Sequence, residues 1–313
     1  MKRLQDILCS AGQVSCILAL LALSACSAEQ DGSDSASVAD SLSANTFSNA
    51  TVELFEEGIV NSSWPEFAIT WTATGDTIYF NRTNVNRTSL AIMMTVRVEG
   101  EWQTPEVAPF SGEFYDIMPA VSPDGSIFFS SRRMNEDSGQ ESFDNFVYLG
   151  SGAPVRLPGS LNTDSTEVSV STTNDGSIYF DSNRTGRNRV WVSEMVDGSR
   201  SPAKPVPIPG VQESGNPYLS SDGSTLLFVS TVAQDADIFY TCLVDGSWTF
   251  ATRFSEPINS SEDDYAPSAD PDGFIHFTSL RPGVVDNSAD LEKTPPSDIY
   301  RSSVQIQSLC NMH

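Results

Sequence analysis

Pro123-Asp124-Gly125-Ser126-Ile127-Phe128-Phe129 carries a tight turn followed at once by an apolar, aromatic-rich run. Asp-Gly between two such runs is the favoured two-residue hairpin signal, because both central residues take positive φ. The pattern recurs as Thr74-Gly75-Asp76-Thr77-Ile78-Tyr79-Phe80, Asn174-Asp175-Gly176-Ser177-Ile178-Tyr179-Phe180, Ser221-Asp222-Gly223-Ser224-Thr225-Leu226-Leu227-Phe228 and Pro271-Asp272-Gly273-Phe274-Ile275-His276-Phe277. Successive turn glycines are 50, 51, 47 and 50 residues apart. A second turn follows in most units, at Glu99-Gly100, Asp197-Gly198 and Asp245-Gly246, with Gly150-Ser151-Gly152 in the second unit. Two hairpins per unit give four short antiparallel strands, and such units repeated radially form a β-propeller. The fold class is therefore all-β, a propeller of four-stranded blades.

The repeats resemble the TolB-type propeller repeat, in which an acidic residue, a Pro, SPDG, an apolar strand, Ser-x-Arg and a late Asp-Ile-Tyr follow in order. The second unit carries Asp116, Pro119, Ser122-Pro123-Asp124-Gly125, Phe129, Ser131-Arg132 and Asp144-Asn145-Phe146. The fifth carries Asp264, Pro267, Pro271-Asp272-Gly273, Ser279, Arg281 and Asp298-Ile299-Tyr300. The first unit has Gly75-Asp76 in reversed order, the third lacks the Pro and the fourth lacks the Arg. The resemblance covers about residues 64 to 304 and implies a protein-interaction platform of the bacterial cell envelope.

Blade number and closure follow from the ends. The fifth unit stops near Val304, without room for a fourth strand, and a tail of residues 305–313 follows. Conversely, Val52-Glu53-Leu54-Phe55 precedes the first complete unit, and Asn61 stands five residues before Glu66 as Asn162 does before Glu167 and Asn259 before Asp264. Residues 51 to 56 are thus expected to pair with the last blade and close a ring spanning residues 51–304. Five blades use the whole body; the alternative of six would need about 50 further residues, the length of one repeat.

Lys2 and Arg3 precede an apolar stretch from Val14 to Ala25, long enough for the h-region of an export signal and short of the roughly 20 residues that span a bilayer. It ends in Leu23-Ser24-Ala25-Cys26, which resembles a bacterial lipobox. The resemblance implies removal of residues 1–25, lipidation of Cys26 and, with Ser27 next, transfer to the outer membrane. Residues 27–50 hold seven Ser, three Asp and no Lys or Arg. Such a segment buries too little apolar surface to order itself, so 26–50 reads as a lipidated Cys and tether with a reach of about 27 Å.

Charge narrows the partners. With 17 Lys and Arg against 41 Asp and Glu, the chain carries −24, or −25 once Lys2, Arg3 and Asp6 are removed. That surface repels phosphate backbones, so no nucleic acid is expected, and contact with membrane only through the lipid. A monomer facing the periplasm, binding an envelope protein or a glycan, is the expectation.

Counting nine residues back from each turn Gly gives Glu66, Asp116, Glu167, Ser214 and Asp264, four carboxylates in five equivalent places. Each acid could pair with its own repeat's Arg (Arg82, Arg132, Arg184, Arg281) or cap a turn. Alternatively the ring could surround one channel mouth and hold a divalent cation or a cationic group. Tyr115, Tyr218 and Tyr265, with Trp64 and Phe114, lie beside this ring in sequence and suit sugar or peptide recognition, although such residues more often pack between blades. The longest loops, Arg132 to Asp144 and Arg281 to Ser297, the latter with Asp286, Asp290 and Glu292, are further carriers of binding.

Catalytic motifs are missing. Gly-x-Ser-x-Gly, His-Glu-x-x-His, Walker and dinucleotide glycine patterns do not occur, and His276, alternating with Ile275 and Phe277, reads as a packed or surface residue. Cys242 and Cys310 are expected to be free thiols. The leading expectation is a non-enzymatic, lipid-anchored binding module without catalytic residues or cofactor. The alternative is a glycosidase-like or glycan-binding lipoprotein, with two of the mouth carboxylates about 5 to 9.5 Å apart.

Overall fold

The computed structural model describes residue 47 and residues 49–83, 90–133, 142–231, 235–283 and 297–310. Cys26, the signal segment, nearly all of the tether and most of both long loops lie outside the described residues. The chain forms five small antiparallel sheets arranged as a five-bladed propeller. The inner strands are Glu66–Trp71, Asp116–Val121, Glu167–Thr172, Gly215–Leu219 and Asp264–Ala269. Each is joined through the repeated turn to a second strand and then a third. Short outer strands complete the first four blades.

The repeated turns are not the expected two-residue hairpins: their Gly alone takes positive φ and the loop closes from Ser122 N to Ser126 O, whereas both residues are positive at the second turns, Glu99-Gly100, Asp197-Gly198 and Asp245-Gly246. Ser122 Oγ donates to Asp124, and the same carboxylate accepts from Ser126 N at 2.9 Å. Thr173 with Asp175 and Ser220 with Asp222 repeat the arrangement. These hydroxyl and amide donors favour the charged form, so Asp124, Asp175 and Asp222 are held below the usual carboxylate range. Gly125, Gly176 and Gly223 have φ of 85°, 84° and 73°, the region that glycine alone enters at no steric cost.

The core lies between blades. The repeat's aromatic residue, Phe80, Phe129, Phe180, Phe228 or Phe277, is fully buried in every blade. Leu227, Ile238 and Tyr240 of blade 4 pack with Ile275, Phe277 and Tyr300 of blade 5, and similar clusters fill the other seams. A further cluster around the axis takes Phe67, Ile117 and Tyr265.

The ring closes as the sequence implied. Val52–Leu54 pairs antiparallel with Asp298–Gln305, with Val52 opposite Ser302 and Leu54 opposite Tyr300, giving blade 5 its outer strand. Asn61 holds this junction: Nδ2 donates to Phe55 O and Ile299 O, and Oδ1 accepts from Ile299 N, each at 2.7 Å. Asn162 and Asn259 make the same three bonds, to Leu157 with Asn145 and to Phe254 with Ile238.

The cysteines depart from expectation. Cys242 and Cys310 form a disulfide, with Cα atoms 5.7 Å apart, within bonding range. The tail leaves the last strand through a single 3-10 turn, Ile306–Ser308, and buries Ile306 and Leu309 beside Tyr240 and Phe254. This packing brings residue 310 onto the third strand of blade 4, which a spacing of 68 residues gave no means of seeing.

Two stability outcomes follow. Asn61→Ala removes the partner of Phe55 O and Ile299 N, although Ile299 O keeps Phe55 N, and should cost about 3 kcal/mol in urea unfolding, while deletion of residues 51 to 56 should abolish cooperative unfolding. Cys310→Ser should lower stability by about 2–4 kcal/mol, the ordinary contribution of a disulfide closing a long loop.

Candidate functional site: acid–arginine staples at one end, a cavity along the axis

The four predicted carboxylates occupy equivalent places at the entry to the inner strands, and all are fully buried. Glu66 accepts from Ser62 Oγ at 2.6 Å and from Arg82 Nε at 2.7 Å. Glu167 accepts from Thr163 Oγ1 at 2.7 Å and Ser182 Oγ at 2.6 Å, with Arg184 at 3.2 Å. Asp264 accepts from Ser260 Oγ at 2.9 Å and Arg281 Nη2 at 2.8 Å. Asp116 takes Ser111 Oγ at 2.9 Å and Arg133 at 3.4 Å.

Arg133, not Arg132, is therefore the partner in blade 2. The spacing held the clue: 116 to 133 equals 167 to 184 and 264 to 281. Arg132 instead lies over the Phe143 ring at 4.6 Å.

Each arginine does more than pair. Arg82 also donates to Ile59 O and Val60 O, Arg133 to Phe110 O, Arg184 to Ser160 O, and Arg281 to Pro257 O and Ile258 O. Their guanidinium groups lie 5.0–5.3 Å from the centroids of the repeat's own Phe80, Phe129, Phe180 and Phe277. The acid, the hydroxyl four or, in blade 2, five residues before it, the arginine and the phenylalanine thus staple the loop entering four of the five blades. Burial pushes Glu66 up to about 7 against the Ser62 bonds and Arg82, and raises Asp116 in the same sense. With no exposed surface on any of the four, they do not present a pair of carboxylates to a glycosidic bond. Ser214, the exception in blade 4, accepts from Val190 N at 3.1 Å.

The aromatic residues separate. Tyr265 is buried in the axial cluster and Tyr115 packs against it, whereas Trp64 and Phe114 are exposed. Tyr218 alone among the candidates lines the cavity described next. His276 is fully buried, its Nε2 3.3 Å from Asp270 Oδ2 and its ring 4.3 Å from Trp71 and 4.7 Å from Phe55. Burial pushes its pKa down, more than the hydrogen bond to Asp270 raises it. Among the described residues, no cluster of three or more His, Cys, Asp or Glu is arranged to hold a metal ion.

The cavity runs along the axis to the repeated turns, the opposite end of the inner strands from the staples, and has a volume of about 730 Å³. Its deepest tier is a feature the sequence did not disclose. Ala68, Met118, Ser169, Asn216 and Ala266 occupy one position in five blades, and all have positive φ, from 45° to 58°. The pairing with the second strand shifts register there in every blade, a β-bulge. Each bulge amide is held across a seam: Ala68 N by Thr278 Oγ1, Met118 N by Asn81 Oδ1, Ser169 N by Ser130 Oγ, Asn216 N by Asp181 Oδ2 and Ala266 N by Asn216 Oδ1, at 2.8–3.2 Å. The next tier holds Thr70, Ala120, Ser171, Tyr218 and Ser268, and the rim carries the turns and, from the tail, Gln307.

Asp181 is the one acid among these seam acceptors. Asn188 Nδ2 donates to its Oδ2 at 3.0 Å, its Oδ1 has no hydrogen-bond partner, and burial pushes it up to about 7. Gly215 makes room for it, because a Cβ there would stand 2.6 Å from Asp181 Oδ2.

Comparison with known proteins gives fold likenesses at low identity. No family of known proteins matches the chain by sequence, and no curated relative does. Among solved structures, the chain is similar to a TolB protein of Agrobacterium tumefaciens, reported as putative. Identity is 17%, with 74% of this chain and 77% of that one covered and a TM-score of 0.46. TolB of Acinetobacter baumannii is also 17% identical, with 77% of this chain and 55% of that one covered and a TM-score of 0.48. A gluconolactonase of Xanthomonas campestris is 15% identical, with coverage of 74% and 73% and a TM-score of 0.46. The neighbours thus include TolB proteins. Among the described residues, no helix is long and apolar enough to cross a membrane.

The buried acid sets a pH dependence. Asp181 ordinarily titrates near 3.8 and here near 7, so the folded state holds a proton that the unfolded chain has released. Its contribution to stability is whole below about pH 4 and is lost as pH rises towards 7. Asp181→Asn should leave stability near pH 4 almost unchanged and raise it by about 4 kcal/mol at pH 8, measured by urea unfolding across pH.

Proposed function

We propose that the protein is a non-enzymatic binding module of the bacterial cell envelope, a monomer held to the outer membrane through a lipid on Cys26, and that it binds at the cavity end of its axis. One observation carries the placement: the repeated carboxylates and arginines are consumed in buried staples, while the opposite end offers a cavity of a size that suits ligands. The disulfide supports export, since such bonds persist in oxidising compartments. Net charge of −24 supports a partner other than nucleic acid or anionic lipid.

The tether has a consistent geometry. Val52 lies opposite Ser302, towards the end of the last strand that leads to the cavity rim, and Phe47 packs on Phe254 at 5.9 Å between ring centroids. A chain entering there from a lipidated Cys26 starts on the cavity side, and a reach of about 27 Å leaves that face clear of the lipid.

The test uses a photo-crosslinking amino acid at Asn174, on the cavity rim, or at Trp64, beside the staples. Cell-envelope crosslinks from position 174 and none from 64 are expected; the reverse would return binding to the acid-bearing end. If Cys26 is lipidated, globomycin should make the unprocessed precursor accumulate, and normal processing in its presence would sink the anchor.

A further inference from the structure

We infer that the axial cavity takes an uncharged, polyhydroxylated ligand, a saccharide, held by neutral hydroxyls of the inner strands. The inference rests on the reading of the protein as a module that binds at this end. It follows from what the wall offers once every internal bond is counted. Among the described residues no Lys, Arg or His lines the cavity, so a phosphate or carboxylate would find no counter-ion there. Of the acids among the described residues, only Asp222 and Asp270 line it; Asp270 is engaged through both oxygens and Asp222 through Oδ1. Asp222 accepts from Ser220 Oγ, Ser224 N and Ser224 Oγ. Asp270 accepts from Phe274 N, and its other oxygen faces His276 Nε2 at 3.3 Å and Arg301 Nε at 3.7 Å. A cationic group deep in the cavity would have to break the Asp270 contacts to gain a partner; the one uncommitted carboxylate oxygen, Asp222 Oδ2, lies on an exposed turn at the rim.

An extended peptide meets a different obstacle. Addition of a strand needs free amides and carbonyls on an edge. The five bulge amides already donate across the seams, and one step further Thr70 Oγ1 accepts from Val121 N and Ser171 Oγ from Leu219 N. What remains is hydroxyl capacity. Ser268 lines the cavity, and its Oγ, itself shielded from solvent, has no hydrogen-bond partner, an arrangement that costs stability unless a ligand group reaches it. Thr70, Ser171 and Ser169 keep acceptor or donor capacity beyond the bonds they make, because each hydroxyl serves as one donor and two acceptors. Trp71 and Tyr218 add aromatic surface to the same wall. A cavity of about 730 Å³ falls within the range of small-molecule sites.

The experiment titrates the mature protein with maltotriose and with N,N′-diacetylchitobiose, following heat release and tryptophan fluorescence at low and high salt. Saturable binding of either sugar, indifferent to ionic strength, is expected. Ser268→Ala removes the orphan hydroxyl without adding bulk, so it should weaken that binding about five- to ten-fold while the melting temperature holds or rises. A structural serine would show the opposite, a lower melting temperature with unchanged affinity, and would overturn the inference. Binding by neither sugar also overturns it; if position 174 still crosslinks an envelope partner, the binding-module reading survives, and if it does not, both fall. Capture of a protein segment in the cavity, with salt-sensitive affinity and no sugar competition, would replace the saccharide by a peptide.

Discussion

A propeller must hold five inner strands side by side without joining them into one sheet, and the seam hydrogen bonds meet that constraint. Each inner strand pairs on one side only, so its other edge faces the axis with backbone groups that a buried position would leave unsatisfied. Here a bulge turns one amide per strand to an acceptor across the seam, from Asn81, Ser130, Asp181, Asn216 or Thr278. The cost is a positive φ at five non-glycine residues, a conformation each side chain disfavours. It recurs in all five blades because the acceptor is worth more than the strain. The remainder follows from that spacing: the aromatic seams fill the wedge between blades, and the axis is left as a cavity lined by small and hydroxyl-bearing side chains.

The second constraint acts at the other end, where each chain crossing from an outer strand to the next inner strand must be tied down. The motif Asn-Ser-x-x-x-Glu of residues 61–66, repeated as Asn-Thr-x-x-x-Glu and Asn-Ser-x-x-x-Asp, does this with three residue types. The amide grips the third strand of the preceding blade, the hydroxyl takes the acid, and the acid orients an arginine that donates to the loop carbonyls. Acid and arginine so placed are worth more to the loop's geometry than to net stability, because desolvation offsets most of their attraction. Blade 4 shows the dependence by omission. With Ser214 in place of the acid and no arginine, it has neither partner, and Ser230 Oγ donates to Glu213 O instead.

What was legible in the sequence was whatever repeats in a fixed frame. The Asp-Gly turns, the buried phenylalanine one strand later and the displaced fragment at residues 51 to 56 gave blade count and closure, because turn chemistry and alternation are local. The equivalence of Glu66, Asp116, Glu167 and Asp264 was also legible. Their burial was not, since a carboxylate is ordinarily exposed and only the arginine sixteen or seventeen residues on, read together with the hydroxyl four or five before, reveals the staple. The bulge tier was invisible: Ala68, Met118, Ser169, Asn216 and Ala266 share no chemistry, only a backbone conformation that the fold imposes on them. The disulfide escaped for a related reason, as its two cysteines meet only after the tail turns back onto the neighbouring blade.

Charge and cavity stand in an instructive relation. A body of −24 that bound an anion would work against its own field, and one that bound a cation would need free carboxylates where the ligand sits. The first condition is violated by the surplus of acids, and the second within the cavity by their distribution, for Asp270 is engaged through both oxygens and Asp222 sits on an exposed turn at the rim. A neutral ligand escapes both demands, since it neither gains nor loses from the long-range field and needs only unspent hydrogen-bonding capacity at close range. The surplus charge then serves the surface, keeping the protein dispersed and its face off anionic surfaces.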